Sequence, residues 1–354
     1  MLEVLDEMLM GRRLMKNDFP PIGQNISRRR LLKTLFCSSV AMNLNLKADA
    51  KTGSVSVAGR LDFLAVGDYG KGDERQFSVA RGMKVYTLSL ATKPDGLFLL
   101  GDNFYGPMPG GVKSVRWIKG FSEPYPAKVY PGPCWAVLGN HDYRDTPGNE
   151  QIQLRYAASL KRGTRWTMPA KHYRVDYPAD DPQVTFIMID TNWKSLYVNN
   201  RRQKKQIWMS AEEEEEQRVW LEGQLAGKRA PFTVVVGHHQ LYSNTKYGDN
   251  PAVIEELGEV LQKHKVHLYL CGHEHDLQHL ELDGLCTSFV VSGAGAGSRG
   301  EVTKERENSA ADLVGGFSHL SLDGERLYVR NIDEKGNICH AFSKGLDHSW
   351  RIEA

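Results

Sequence analysis

The sequence predicts an α/β (α+β) fold in which two β-sheets face one another with helices outside them, as a four-layer αββα sandwich. Three observations support this prediction. Short apolar runs typical of buried strands alternate with segments of helical periodicity. Five of these runs are followed by polar segments that begin with glycine, as expected where strands end at one edge of a sheet. Near the carboxyl terminus, Asp323-Gly324 separates two strand-like segments and indicates a hairpin.

The strands are predicted from apolar runs that end in turn-forming residues. Five of them are Leu61–Val66, Leu97–Leu100, Trp135–Leu138, Phe232–Val236 and Val266–Cys271. Further strand-like segments cover residues 173–177, 184–190 and 288–292, and the hairpin joins Ser318–Leu322 to Arg326–Ile332.

Helical patterns cover about 73–92, 212–228 and 251–264. The acidic run Glu212–Glu216 is predicted to begin the second helix, because negative charge is stabilised at the positive end of a helix dipole. A metal site in this run is the less favoured interpretation. The segment Asn192–Ser210 predicts a long exposed loop. Residues 51–354 are long enough to bury the core of one large domain or of two coupled halves.

The polar segments at the strand ends carry the chemistry. They are Gly67–Gly70, Gly101–Tyr105, Gly139–Asp142, Gly237–His239 and Gly272–His275. Their Asp, Tyr, Asn and His side chains offer hard oxygen and borderline nitrogen donors, enough for two metal ions in a common cleft. A single Gly-Asp is usually a turn, and a single buried histidine is usually a hydrogen-bonded core residue. Five such segments in this order favour a dinuclear metal hydrolase.

The order of these motifs resembles that of the purple acid phosphatases, a group within the metallophosphoesterases. The similarity covers about residues 60–343. The strings Leu138–Asp142, Leu270–His275 and Val291–Gly295 are most similar to the small tartrate-resistant subgroup. Tyr105 is the discriminating residue, because a ligating tyrosine after Gly-Asp-x-x implies the purple subgroup and a ferric ion. The resemblance implies a calcineurin-like metallophosphoesterase domain over residues 51–354.

The resemblance also implies two sets of metal ligands. The ferric ion would be bound by Asp68, Asp102, Tyr105 and His275, and the divalent iron, zinc or manganese ion by Asn140, His238 and His273, with Asp102 bridging. The implied activity is that of an acid phosphatase, in which a metal-bound hydroxide attacks a phosphate monoester. A phosphodiesterase on the same site, and a catalytically impaired or redox-active metal protein, stay as alternatives.

Two residues are expected to contact the substrate. His141 follows the implied ligand Asn140, and in the family the matching histidine binds phosphate and assists the leaving group; the alternative is a residue that only orients a ligand. Family members commonly have a second histidine after the Gly-His segment, whereas Tyr247-Gly248 occupies that place here. A phenol is neutral at acidic pH, so Tyr247 puts the acid optimum in question. His239 has no predicted role.

Residues 1–50 are predicted to be a twin-arginine export signal with an amino-terminal extension. The basic stretch Ser27–Lys33 precedes the mostly apolar residues 34–46 and the small-x-small pattern Ala48–Ala50. The twin-arginine export machinery is therefore an expected partner, and the mature protein is expected to be periplasmic or secreted. The apolar stretch is too short for a stable membrane anchor.

The charge of the chain bears on its possible partners, and its cysteine content bears on possible disulfides. The sequence has 45 Lys and Arg residues, of which 8 lie in residues 1–50, and 43 Asp and Glu residues, of which 5 lie there. The mature chain therefore has 37 basic and 38 acidic residues. Attraction to nucleic acid is therefore not expected. Cys134 and Cys271 are predicted to pack as small buried residues, and Cys286 and Cys339 are the pair that an oxidising compartment would allow to form a disulfide.

Overall fold

The computed structural model describes residues 59–145, 147–159, 165–197 and 208–353. Within them, two mixed β-sheets are flanked by helices, so the predicted sandwich is confirmed. The predicted export signal, residues 1–50, lies outside the described residues. In the part of the chain that is described, no helix is both long enough and apolar enough to cross a lipid bilayer.

All ten predicted strands and all three predicted helices are present, and the described residues contain five further strands and two further α-helices that were not predicted. In chain order the strands are β1 (Leu61–Val66), β2 (Gly96–Leu100), β3 (Cys134–Val137), β4 (Trp166–Thr167), β5 (Tyr173–Tyr177), β6 (Val184–Met188), β7 (Phe232–Val236), β8 (Leu268–Cys271), β9 (Leu277–Leu280), β10 (Ser288–Ser292), β11 (Ser309–Asp312), β12 (Gly316–Leu322), β13 (Arg326–Asp333), β14 (Ile338–Gly345) and β15 (Trp350–Ile352). The α-helices are α1 (Glu74–Ser89), α2 (Asn140–Arg144), α3 (Asn149–Ser159), α4 (Ala211–Ala226) and α5 (Pro251–Lys263).

Each sheet has a parallel half and an antiparallel half. The first sheet has the order β15-β14-β13-β12-β1-β2-β3-β4, with β1 to β4 parallel. The second has the order β11-β9-β10-β8-β7-β6-β5, with β6, β7, β8 and β10 parallel. The predicted hairpin is β12–β13, which pairs Leu322 with Leu327 across Asp323-Gly324. The carboxyl ends of the parallel strands carry the five polar segments.

Aromatic side chains fill the space between the two sheets. The ring of Phe186 on β6 lies 5.1 Å from that of Phe63 on β1 and 4.6 Å from that of Phe98 on β2. All three side chains are fully buried. Burial of one such side chain stabilises a fold by about 1.5–3 kcal/mol. The contact among these three rings therefore contributes strongly to the packing of one sheet on the other.

The helices begin at capping residues that the sequence supplies. Ser210 caps α4 by accepting a hydrogen bond from the backbone of Glu213, whose carboxylate in turn accepts one from the backbone of Ser210. This confirms that the acidic run begins a helix. In α5, Asn250 is the cap and Pro251 the first residue. The apolar face of α5, formed by Val253, Leu257 and Leu261, is buried.

The predicted exposed loop at 192–210 is wrong at both ends. Trp193 and Met209 are buried, and the backbone N–H of Met209 donates to the carbonyl oxygen of Asn192 at 2.9 Å. This bond holds the two ends together, and a 3₁₀ helix covers Lys194–Tyr197. Sequence polarity marked the segment as solvated, but the apolar residues at its ends pack on the core.

The cysteines differ from the prediction in one respect. Cys134 and Cys271 are buried as predicted, but Cys286 and Cys339 are free thiols rather than a disulfide. The Cys286 thiol faces the carbonyl oxygen of Gln262 in α5 at 3.9 Å, whereas the Cys339 thiol faces its own hairpin at Asn337. The two side chains are directed at different elements, so the proposed pairing is not formed.

Candidate metal centre

Backbone hydrogen bonds join the two sheets at the edge where the parallel strands end. The N–H of Gly67, just after β1, donates to the carbonyl oxygen of Ser292 in β10 at 2.7 Å. The N–H of Gly295 in turn donates to the carbonyl oxygen of Gly67 at 3.0 Å. The string Val291–Gly295 therefore belongs to the seam between the sheets, which explains why the loops of both sheets meet there.

The glycines of the polar segments are required by close packing of the neighbouring side chains. A Cβ atom on Gly139 would lie 2.3 Å from a carboxylate oxygen of Asp102, and one on Gly272 would lie 2.5 Å from a carboxylate oxygen of Asp68. Any larger residue would displace these carboxylates. The glycines thus serve as contact surfaces for the polar side chains.

Three of the predicted ligands have a left-handed backbone. The φ angles are 57° at Asp68, 51° at Asp102 and 70° at His273. Residues with a Cβ rarely adopt this conformation, and it costs about 1–3 kcal/mol where it occurs. The surrounding hydrogen bonds hold it in place: Asp68 N–H donates to the Gly101 carbonyl oxygen at 3.0 Å, and His273 N–H donates to Asp68 Oδ2 at 2.8 Å. Such strain is concentrated at functional sites.

One half of the site combines a carboxylate, a phenol and an imidazole. The Tyr105 hydroxyl donates to Asp68 Oδ1 at 3.4 Å and lies 3.3 Å from His275 Nε2. His275 Nε2 and Asp68 Oδ1 are 3.4 Å apart. Three donor atoms from loops after β1, β2 and β8 thus surround one point.

The other half combines an amide and two imidazoles. His238 Nε2 lies 3.2 Å from Asn140 Oδ1 and 3.2 Å from His273 Nδ1. Asp102 Oδ1 is 3.5 Å from the same nitrogen of His238. Because donor atoms of Asp68, Asp102 and His238 all lie within 4.8 Å of one another, Asp102 connects the two halves.

A backbone contact fixes the orientation of the central imidazole. His238 Nδ1 lies 2.8 Å from the carbonyl oxygen of Leu100, so Nδ1 carries the proton and Nε2 presents a lone pair to the site. His238 comes from the second sheet and Leu100 from the first. The seam between the sheets therefore sets the direction of this donor atom.

The charges at the site are those that a metal centre requires. Burial and the neighbouring Asp102 carboxylate raise the pKa of Asp68 well above its usual value. Burial lowers the pKa of His273 to about 3 and that of His275 to about 4, so both imidazoles are neutral and able to donate lone pairs. Two adjacent buried carboxylates without a positive partner are costly, and a bound cation would remove that cost.

The donor set fits two different metal ions. Carboxylate and phenolate oxygens suit a trivalent ion, and the imidazole and amide group suits a divalent ion. His275 Nδ1 is buried without a hydrogen-bond partner among the described residues, so the contacts of this ring are those of Nε2 with Tyr105 and Asp68. The structure thus brings together all seven predicted ligands.

A cleft of about 260 Å³ opens beside these residues. His141 lies in it with its Nδ1 2.7 Å from Asp145 Oδ2, while its backbone N–H donates to Asp102 Oδ1 at 2.8 Å. Tyr247 also lines the cleft; its ring centre is 5.1 Å from that of His273, and 58% of the residue is exposed. The Glu274 carboxylate accepts the Tyr247 backbone N–H at 2.9 Å and fixes this loop.

Comparison with known proteins identifies the family. Residues 62–277 match the model of the calcineurin-like phosphoesterases. The chain belongs to this family. The phosphoesterase is 29% identical to the pig tartrate-resistant acid phosphatase type 5, with 78% of this chain and 84% of the relative aligned. It is 30% identical to purple acid phosphatase 7 of Arabidopsis thaliana, over 80% and 86% of the two chains.

Solved structures agree on the fold. A purple acid phosphatase from yellow lupin seeds superposes with a TM-score of 0.58 at 18% identity, covering 81% of the phosphoesterase and 54% of the lupin chain. GAP50 of Plasmodium, described as the anchor in the inner membrane complex, superposes with a TM-score of 0.65 at 23% identity, covering 83% and 90%. The predicted family and a phosphatase as the class of enzyme are confirmed by these comparisons.

Several residues of the site were not predicted to take part in it. Asp142 is fully buried, and its carboxylate accepts the backbone N–H groups of Gly139, Asn103 and Phe104 at 2.9–3.1 Å. It thereby ties the loop after β2 to the loop after β3. Its position two residues after Asn140 was the available signal.

Three further residues line the cleft of the phosphoesterase. They are His239, Tyr197 and Arg144. The His239 ring is 4.5 Å from that of His273, and its Nδ1 is 2.8 Å from Thr191 Oγ1. For His239, the available sequence signal was its position directly after His238. For Tyr197 there was no such signal, since it reaches the cleft because Asn192 and Met209 are hydrogen-bonded at the two ends of its segment.

Proposed function

We propose that this phosphoesterase is an exported dinuclear-metal acid phosphatase that hydrolyses phosphate monoesters. The observation that carries the proposal is the pair of donor groups joined by Asp102 and adjoining the cleft that contains His141. The relatives named as acid phosphatases support the same reaction.

In this proposal the seven ligands divide into the two halves of the site. Asp68, Tyr105 and His275 hold a ferric ion, and Asn140, His238 and His273 hold a divalent iron, zinc or manganese ion, with Asp102 shared. When bound, two such ions polarise the phosphate group and supply the nucleophile from water. The protein's own contribution is to keep the carboxylates adjacent and the imidazoles neutral.

His141 is proposed as the group that meets the phosphate and the leaving group. Asp145 accepts a hydrogen bond from Nδ1 of His141 at 2.7 Å, so Nε2 is the ring nitrogen that faces the cleft, where the guanidinium of Arg144 also contacts it. When protonated, Nε2 donates to a phosphate oxygen or to the departing alcohol. The carboxylate that accepts from Nδ1 also stabilises the resulting positive charge.

The export part of the proposal concerns the amino terminus. It depends on Ser27–Lys33 and the apolar residues that follow. A fusion of residues 1–50 to a folded reporter should be exported only while Arg28, Arg29 and Arg30 are intact. Export that survives replacement of all three by Lys would indicate the general secretory route instead.

The activity is tested with a monoester and a diester of the same phenol. The metal-analysed full chain should hydrolyse p-nitrophenyl phosphate with a higher kcat/KM than bis(p-nitrophenyl) phosphate. His141→Ala should lower kcat by about 10²–10⁴-fold while the metal content stays unchanged, as for loss of a general acid. A preference for the diester would establish the phosphodiesterase alternative. A fall in metal content parallel to activity would assign His141 to ligand orientation.

A further inference from the structure

Arg144 lies in the cleft because of the short helix that begins at Asn140. Residues 141, 144 and 145 have the spacing that places side chains on one face of a helix, so His141, Arg144 and Asp145 point the same way. Nε of Arg144 donates to Asp145 Oδ1 at 3.2 Å, and its guanidinium contacts the imidazole of His141. The helix thus fixes both a metal-ligand candidate and a guanidinium.

Part of the guanidinium is open to an anion: Nε donates to Asp145 and Nη2 contacts both ring nitrogens of His141, whereas Nη1 has no protein partner among the described residues. Asp145 is the carboxylate paired with it, and Asp145 also accepts hydrogen bonds from His141 and from the Gly106 backbone. The Arg144 side chain is 42% exposed and lines the cleft with Tyr197 and Tyr247.

We infer that Arg144 is the residue that selects phosphate monoesters over diesters, by binding the additional anionic oxygen of the monoester. This inference rests on the proposed function. A monoester carries three non-bridging oxygens and up to two negative charges, whereas a diester carries two such oxygens and one charge. A planar guanidinium donates two parallel hydrogen bonds to phosphate and keeps its charge at every pH at which the enzyme would work.

The inference also accounts for Tyr247. A tyrosine at that position provides no positive charge to the cleft at acidic or neutral pH. Arg144 is the cationic side chain that lines the cleft beside Tyr247 among the described residues. It would therefore supply the second positive charge, next to His141, that a phosphate dianion requires.

The test compares Arg144→Ala and Arg144→Lys with the wild type, all as metal-loaded full chains. Arg218→Ala is the matched control, since Arg218 is an exposed residue of α4 that pairs with Glu215. Three quantities are measured: kcat and KM for the two p-nitrophenyl esters, the Kd for inorganic phosphate by calorimetry, and the metal content.

Arg144→Ala should raise KM for the monoester and Kd for phosphate by about 10- to 100-fold, the range expected for lost hydrogen bonds to a charged group. The kcat/KM for the diester should fall by a clearly smaller factor than that for the monoester, the metal content should stay the same, and Lys should restore part of the affinity.

Equal losses on both esters, or unchanged phosphate affinity, would overturn the selection by Arg144 while leaving the proposed phosphatase intact. If the wild type binds phosphate through Arg144 but cleaves neither ester, the proposed function fails and the anion site stands. If the wild type neither binds phosphate nor cleaves either ester, both are overturned.

Discussion

At the scale of single residues, three aspartates near one centre have different acidities because their neighbours differ. Burial and the adjacent Asp102 carboxylate raise the pKa of Asp68 well above normal and that of Asp142 to about 7. Asp145 is also partly desolvated, but its hydrogen bonds with His141 and the Gly106 backbone lower its pKa to about 2. Asp145 therefore stays ionised at any acidic working pH, as its role beside His141 requires.

The role of Tyr105 can be tested by spectroscopy. Oxidised protein that contains about two metal ions per chain, including iron, should absorb broadly in the visible range through charge transfer from the phenolate to ferric iron. Tyr105→Phe should remove this band, because the phenyl ring has no donor atom at the position 3.3 Å from His275 Nε2. A colourless wild type with full iron occupancy would leave a phosphoesterase but not a purple one.

The role of Tyr247 can be tested by pH. Tyr247→His should lower KM for phosphate monoesters below about pH 6, where an imidazole is largely protonated and a phenol is not. Tyr247→Phe should weaken substrate binding by about 0.5–1.5 kcal/mol, which is the contribution of one neutral hydrogen bond. An unchanged pH profile in the His variant, or loss of all activity in the Phe variant, would show that Tyr247 is not equivalent to the family's second histidine.

At the scale of elements, the site depends on loops that leave the parallel strands with almost no space between them. Gly272 lies directly after β8 and Gly139 two residues after the end of β3, and each faces a carboxylate of a loop from the first sheet. The strands thus determine where the loops begin, and the glycines determine how closely they approach. This is why short motifs, rather than long stretches of sequence, define the site.

Gly272→Ala should disturb the metal centre without unfolding the protein. The added methyl group would lie 2.5 Å from Asp68 Oδ2 and force this carboxylate to move. Metal affinity measured by competition with a chelator should fall by about 10- to 100-fold, as for loss of a supporting contact. The control is Gly223→Ala in α4, where a Cβ atom meets nothing within 4 Å.

The control variant should retain its metals and gain about 0.5–1 kcal/mol in the free energy of unfolding, because alanine is the better helix former. Full metal affinity in Gly272→Ala would mean that the loop after β8 adapts more easily than its packing indicates.

At the scale of the whole molecule, the sandwich and the site depend on each other. The two sheets share an aromatic core and are hydrogen-bonded through Gly67 and Ser292 at the edge where the donor groups meet. His238 and Leu100 make a second connection across the same seam. Changes to the contact between the sheets are therefore expected to alter metal binding as well as stability.

Buried neutral histidines should make the fold less stable in acid. His267 Nδ1 accepts the backbone N–H of Thr233 at 3.2 Å, and burial, with His348 stacked beside it, lowers its pKa to about 4. Since this pKa lies below the unfolded value of about 6.5, the folded state binds fewer protons in between. The contribution of His267 to the free energy of unfolding is therefore fully present above about pH 6.5 and is lost as the pH falls towards 4.

His267→Asn tests this point, because an amide oxygen can accept the Thr233 N–H and does not titrate. Urea denaturation at pH 7 and pH 4.5 should show a decrease in unfolding free energy that is up to about 3 kcal/mol smaller in the variant. His340, whose pKa is also lowered to about 4 by burial, titrates in both proteins and cancels in the comparison. Equal decreases would assign the acid sensitivity to other groups.

Ten of the strands, the three long helices and the seven donor residues that lie together at the seam could be predicted from the sequence. Each of these depends on local patterns: apolar runs such as Phe232–Val236, the cap at Ser210, and a donor residue at a strand end such as Asp68. Such patterns can be recognised from the sequence because they involve residues that are close together in the chain.

Features that depend on contacts between residues distant in sequence became clear only in the folded chain. Arg144 reaches the cleft because Asn140 anchors its helix, and Tyr197 does so because the ends of its segment join at Asn192 and Met209. Cys286 and Cys339 stay apart because their strands and loops direct the thiols to different neighbours. Which side chains share one cleft is a property of the packed sheets, since the chain must first bring their edges together.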